Sequence, residues 1–132
     1  MTELTAGLTG ERSAQVKESN TALSFGSGLA PVFSTPYLVA LMEGAAVNAI
    51  EPALLPEQGS VGTMIQVNHK AATPIGMTVT AKARLEEVDG RRLLFSVEAW
   101  DDKELVGDGK HERFIINNEK FLAKAEAKKL TK

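Results

Sequence analysis

The sequence predicts an α+β fold, one antiparallel sheet wrapped around a long central helix with a short helix at the C-terminus, and three observations lead there. The run STPYLVALMEGAAVNAIEPALL, beginning at Ser34, is apolar on nearly every side, and a helix of that kind is one that other structure surrounds. From Val61 onward the hydrophobic period changes from helical to alternating. The alternating segments are joined by short turns, which suits antiparallel pairing, and one sheet around one helix is the economical way to bury both.

Taken in order, residues 1–13 read as a loose N-terminal arm, and residues 14–132 as a single domain. A first strand is expected over Ala14–Phe25, at a sheet edge because Lys17, Glu18 and Asn20 spoil its alternation. The stretch SFGSGLAPVFS is a loop, being rich in Gly and Pro. Ser34 or Thr35 then offers an N-cap, and Pro36 suits the first helical turn, where a missing N–H costs nothing. The helix ends near Pro52 to Pro56, and PEQGS turns the chain. Val61, Thr63, Ile65, Val67 and His69 are expected on one face of the next strand, with Gly62, Gln66, Asn68 and Lys70 on the other. Met77, Val79, Ala81, Ala83 and Leu85 alternate with polar residues, and Asp89-Gly90 signals a tight hairpin. Leu93, Phe95, Val97 and Ala99 face inward on the following strand. The last strand spans Glu104–Ile116, where Gly107 and Gly109 suggest a bulge or a close approach. Asn118–Lys129 reads as the terminal helix, its lysines a solvated face.

Composition narrows the function classes. A net charge of −2 gives no electrostatic footprint for nucleic acid. The absence of cysteine excludes a disulfide framework and thiolate chemistry. Two histidines without cysteine do not make a zinc site, so no metal is expected. The central run is interrupted by Glu43, Asn48 and Glu51, so it is not a membrane span. The N-terminus has no basic flank followed by an apolar block, and a cytoplasmic location is expected. Glu43 stands out within the apolar run: a carboxylate there must be paired, be wetted by a cleft, or have a job.

Six strings carry a resemblance: VFSTP at Val32–Pro36, ALME at Ala40–Glu43, GSVGT at Gly59–Thr63, NHKAATPIGMTVT at Asn68–Thr80, GRRL at Gly90–Leu93 and HERFII at His111–Ile116. In these the chain resembles the hotdog-fold acyl-CoA thioesterases similar to fluoroacetyl-CoA thioesterase, from about Val32 to Phe121. The resemblance implies the hotdog fold and hydrolysis of an acyl-CoA to free acid and CoA. The family's catalytic Thr, Glu and His fall on Thr35, Glu43 and His69, and its substrate-adjacent glycine on Gly62. Phe33 and Arg113 are further substrate-binding candidates, Arg113 toward a CoA phosphate. No cofactor is implied beyond the CoA of the substrate. A homodimer or dimer of dimers is expected. The fluoroacetate-specific member carries aromatic lid residues before the helix and an aromatic after its glutamate; here GSGLAP spans Gly26–Pro31 and Gly44 follows. A different pocket with weak discrimination for fluorine is therefore expected, and a short or small acyl group is the expected substrate.

Thioester hydrolysis needs an attacking oxygen, a proton acceptor and donors for the developing oxyanion. Glu43 can act as base on water or attack the carbonyl to form a mixed anhydride. His69 can hold a proton or polarise the thioester, Thr35 supplies a hydroxyl at the helix start, and Gly62 lets a backbone N–H approach. Taken singly, Thr35 reads as an N-cap, His69 and His111 as structural histidines, and Arg113 as a surface ion pair. Eight residues of helix span about 12 Å, so Thr35 and Glu43 of one chain do not meet. Either Thr35 sits on a loop folded back over the helix, or the site combines two chains. Two other functions fit parts of the pattern. A non-catalytic acyl-CoA sensor could use the same fold. A hotdog hydratase would need an Asp–His motif that has no match here.

Overall fold

A computed structural model describes residues 3–130; Met1 and Thr2 of the expected arm, and Thr131 and Lys132 of the tail, lie outside the described residues. Five strands form one antiparallel sheet in the order β1-β3-β4-β5-β2, where β1 is Thr9–Gln15, β2 Gln58–His69, β3 Thr78–Asp89, β4 Arg92–Trp100 and β5 Leu105–Asn117. The sheet curls around the central helix, Thr35–Ile50, which is preceded by a four-residue helix α1, Ala22–Phe25, and is labelled α2; α3 is Asn118–Glu126. This is the expected hotdog arrangement.

The start of α2 follows from local chemistry. Ser34 is the N-cap, its hydroxyl accepting from the Tyr37 N–H, and Pro36 lies in the first turn. Thr35 is therefore the first helical residue, free of capping duty. The core packs Leu38, Leu41, Met42, Ala45, Ala46, Ala49 and Ile50 of α2 against alternate residues of the sheet. Val79, Ala81, Ala83 and Leu85 on β3, and Leu93, Phe95, Val97 and Ala99 on β4, are all buried, as their alternation predicts. Alanines on both surfaces let helix and sheet approach closely. Gly90, at φ +61°, makes the β3–β4 turn that Asp89-Gly90 signals.

Four expectations are corrected. The first strand is Thr9–Gln15 rather than Ala14–Phe25, so the strand takes up residues 9–13 of the expected loose arm. It pairs with β3 at the sheet edge, and its inward positions are Gly10, Arg12 and Ala14. Gly10 abuts the Ala45 carbonyl and the Ala49 backbone, and Arg12 lies over Gly44 and donates to Asn48 Oδ1. A strand whose inner face is small or charged carries no hydrophobic period. Residues 18–25 instead form a 3₁₀ turn, Glu18–Asn20, and α1, which Thr21 caps through Ser24 N–H.

The second correction lies in β2. Its register against β5 shifts between Gly62 and Met64. A bulge inserts one residue and reverses the alternation beyond it. Gly62 therefore faces the helix together with Ile65, Val67 and His69, while Thr63 turns outward to Glu112. Third, α2 is not surrounded on all sides: Pro36 and Ala40 are exposed and Glu43 and Val47 half-buried, one stripe along the helix. Fourth, α3 stops at Glu126 and Ala127–Leu130 continue as 3₁₀ helix, short of the expected α-helix to Lys129. The last strand agrees within one residue, and Gly107 and Gly109 mark close approaches to β2.

Candidate active site

Two groups of functional side chains lie along α2. At its N-terminal end, Thr35 Oγ1 and His69 Nδ1 are 2.7 Å apart, although 34 residues separate them in sequence. Thr35 opens the helix and is exposed; His69 closes β2 with its ring turned toward the helix. His69 Nε2 is buried and has no hydrogen-bond partner among the described residues. Burial pushes the His69 imidazole below its ordinary pKa; the Ala71 backbone pulls the other way without completing a bond to Nε2. A cavity of about 270 Å³ beside the pair is walled by Val32, Phe33, Thr35, His69 and Ala71. Phe33 thus borders the space, but its ring is 1% exposed and packs edge-on against Tyr37, centroids 5.4 Å apart. Phe25 also meets Tyr37, centroids 6.1 Å apart, so aromatic rings lie at this end even though Gly26–Pro31 has none.

Two turns along α2, Glu43 is 39% exposed: the carboxylate is wetted rather than buried. Its surroundings come from the far strands. Gly62 faces it so closely that a Cβ there would lie 2.8 Å from Oε1. Arg113 Nη1 is 3.7 Å from Oε1. Arg113 is itself buried, 7% exposed, with Nε donating to Ser60 Oγ at 2.8 Å and Nη2 to the Ser60 carbonyl at 2.9 Å. Burial lowers its pKa, an effect that Glu43 opposes. His111, 1% exposed, stands behind Arg113. Beyond this group a cleft of about 480 Å³ opens between the end of α2 and the start of β2, bordered by Val47, Ile50, Leu54 and Ser60. Val47 is one turn on from Glu43, and so on the same face.

The expected site residues thus fall into two sets. Thr35 and His69 are in contact, and Glu43, Gly62 and Arg113 are gathered separately. With Ser34 capping the helix and Thr35 inside it, the folded-back loop is ruled out. Arg113 sits inside the sheet rather than on the surface, which removes the exposed ion pair as its reading, and its Nη1 faces Glu43. Gly44 lies beneath the Arg12 side chain of β1. Ser60 is a participant that the sequence reading missed. Its string GSVGT marked the segment, but nothing in the chain says that Arg113 reaches it. Among the described residues no group of three or more His, Asp or Glu side chains is disposed to hold a metal ion. Among the described residues no helix is long and apolar enough to cross a membrane.

Comparison with known proteins points in one direction. The family of fluoroacetyl-CoA-specific thioesterases matches residues 16–119. A fluoroacetyl-CoA thioesterase of Streptantibioticus cattleyicolor is 52% identical over 97 residues, 74% of this chain and 70% of that protein. A solved structure of fluoroacetyl-CoA thioesterase superposes with a TM-score of 0.90 at 40% identity, covering 96% of this chain and 98% of the other. A variant of a fluoroacetyl-CoA-specific thioesterase, crystallised with fluoroacetate and CoA, gives 0.83 at 40% identity over 89% and 99% of the two chains.

Proposed function

Since this chain belongs to the fluoroacetyl-CoA-specific thioesterase family, we propose that it is an acyl-CoA thioesterase acting on short or small acyl groups through Thr35, Glu43 and His69. The observation that carries this reading is the setting of Glu43: a wetted carboxylate on an apolar helix, facing a glycine backbone and a buried guanidinium. Glu43 acts as base on a water that attacks the thioester carbon, or attacks that carbon itself. In the first course the water proton passes to Glu43, the carbonyl oxygen becomes an oxyanion, and the C–S bond breaks as CoA thiolate leaves and is protonated. In the second, Glu43 attacks the carbon, the C–S bond breaks as CoA thiolate leaves and is protonated, and water then opens the resulting anhydride to the free acid and the Glu43 carboxylate. The Thr35–His69 pair holds the thioester carbonyl, with His69 Nε2 left without a hydrogen-bond partner among the described residues.

Glu43 and the Thr35–His69 pair come together when two copies of the chain associate, Glu43 from one meeting Thr35 and His69 of the other. Support comes from the helical spacing, about 12 Å between Thr35 and Glu43, and from the apolar stripe of α2 left open around Glu43. The place of β2 at the sheet edge supports it too, since an edge strand invites pairing with a copy of itself. The test is a panel of acyl-CoA thioesters with free thiol followed colorimetrically, on the wild type and on Glu43→Gln. Hydrolysis that Glu43→Gln abolishes supports the reading. Equal rates in both remove Glu43 from it, and saturable binding with no hydrolysis of any thioester favours the sensor instead.

A further inference from the structure

We propose that His111 is a positioning residue of this site: a neutral imidazole, locked in one tautomer, that aims the Arg113 guanidinium into the space between Glu43 and Gly62. The inference rests on the reading of Glu43 as the reacting carboxylate. Its basis is the chemistry of the two atoms that touch the ring. Nδ1 lies 2.8 Å from the Met64 carbonyl oxygen, which can only accept, so Nδ1 carries the hydrogen. Nε2 lies 3.1 Å from Arg113 Nη1, and a guanidinium can only donate, so Nε2 is bare. The ring is therefore uncharged, and the 4.0 Å gap between Nε2 and Glu43 Oε1 is not an ion pair.

The same contacts fix Arg113. Nε and Nη2 are held by the oxygens of Ser60 and Nη1 by His111, so all three guanidinium nitrogens have a partner. Nη1 is the nitrogen nearest Glu43, and a Cβ on Gly62 would stand 3.5 Å from it. With His111 gone, the rigid fork keeps only its two bonds to Ser60 and can pivot about them, carrying Nη1 out of its place. The charged groups facing the ring are Arg113 on β5 and Glu43 on α2; β2 presents Gly62, Ile65 and the Met64 carbonyl, and β4 presents Phe95, none of which titrates. Burial pushes the His111 pKa down, and Arg113 adds to this against the opposing pulls of Met64 and Glu43. A proton on Nε2 would set one donor against another, and Arg113 would have to turn from the site.

The test uses the whole protein, two substitutions and two readouts. His111→Gln retains an amide oxygen for Arg113 and does not titrate; His111→Phe fills the space beside Phe95 and accepts nothing. Long-range proton–nitrogen NMR on the wild type, whose two histidines are His69 and His111, should find His111 as the Nδ1–H tautomer at pH 7. The Arg113 Nη signals should stay resolved in the wild type and His111→Gln, and collapse in His111→Phe. In thiol-release assays His111→Gln should keep kcat within about tenfold, and its acid limb should titrate one proton fewer. His111→Phe should lose about 10–100-fold in kcat with little change in KM, the scale expected when a site group is misplaced. An Nε2–H or protonated ring at pH 7, an unchanged acid limb in His111→Gln, or Arg113 signals still resolved in His111→Phe would overturn the proposal. If His111→Phe does not fold, the wild-type tautomer and the His111→Gln acid limb decide it. The NMR arm needs no turnover, so failure of the thioesterase reading, seen as no hydrolysis by the wild type, is told apart from failure of this one.

Discussion

A single methyl group at position 62 probes the site with the least disturbance. The Cβ of Gly62→Ala would lie 3.5 Å from Arg113 Nη1, an ordinary contact, and 3.1 Å from His111 Cε1, tight by a few tenths of an ångström. It would lie 2.8 Å from Glu43 Oε1, so the carboxylate must retreat by about 0.6 Å to reach ordinary contact at 3.4 Å. Glu43 can do so because its side chain is flexible and 39% exposed, whereas His111 is held by two hydrogen bonds. Overpacking costs about 1–3 kcal/mol in a rigid core, and less here. Replacing a strand glycine by alanine returns about 0.5–1 kcal/mol of chain entropy. Tm should therefore fall by no more than a few degrees. Catalysis should respond more, because displacement of a reacting group by about 1 Å can cost 10²-fold. The expectation is a loss of about 10–10²-fold in kcat for acetyl-CoA hydrolysis, with KM within a few-fold, read by thiol release alongside a thermal melt. A folded Gly62→Ala with unchanged kcat would refute the argument that the carboxylate works from its place against the glycine.

Four further outcomes are expected. His69→Ala should lower turnover by about 10²–10⁴-fold, the range of a positioned acid or base, with folding little affected; near-normal turnover in the folded variant would take His69 out of the mechanism. Thr35→Ala and Glu43→Ala, unfolded and refolded together, should recover about one quarter of wild-type activity if chains pair at random, since about half the dimers hold one intact site. No recovery in verified heterodimers would place both residues in one chain's site. The ratio of kcat/KM for fluoroacetyl-CoA and acetyl-CoA should stay within about tenfold, as the loop over Gly26–Pro31 has no aromatic ring to discriminate; a preference of several orders of magnitude would contradict this. Finally, His69 and His111 are both held below their ordinary value of 6.5 in the folded chain, so the unfolded chain binds more protons on acidification. Stability should be full above about pH 6.5 and decline as pH falls from there through the folded values. His111→Gln should show a shallower decline in melts between pH 7 and 5.

Where the chain follows its own local rules, sequence and structure agree. β3 and β4 were legible because every inward position is apolar, and the start of α2 because Ser34 and Pro36 each suit their place for a separate reason. β1 was not legible: its inner face is Gly10, Arg12 and Ala14, chosen for closeness to the helix rather than for hydrophobic burial. The face of Val61 and Thr63 was misjudged because an inserted residue leaves no compositional trace and reverses every side chain beyond it. At the site, Thr35, Glu43 and His69 could be named together only through resemblance, since the two that touch are 34 positions apart. His111 and Arg113, two apart on β5, were bound to share a face. That Ser60 would hold one and Met64 the other depends on the pairing of β2 with β5, which no local pattern encodes.

The contact between Gly10 and α2 lies on the other side of the helix from all this. Ala45 and Ala49, whose backbones press on Gly10, stand about 200° and 240° around the axis from Glu43, at roughly 100° per residue. β1 is thus a bearing on which the helix rests, and the carboxylate is carried on the opposite rim, about 10 Å away. Any side chain at position 10 is a wedge under that bearing: it cannot compress the helical backbone, so it must roll or lift the whole rod and swing Glu43 across the cleft. A residue that touches neither substrate nor any group that does can in this way retune the reaction. Variation in substrate preference among such enzymes could therefore be written at the sheet edge, behind the helix, as readily as in the pocket wall.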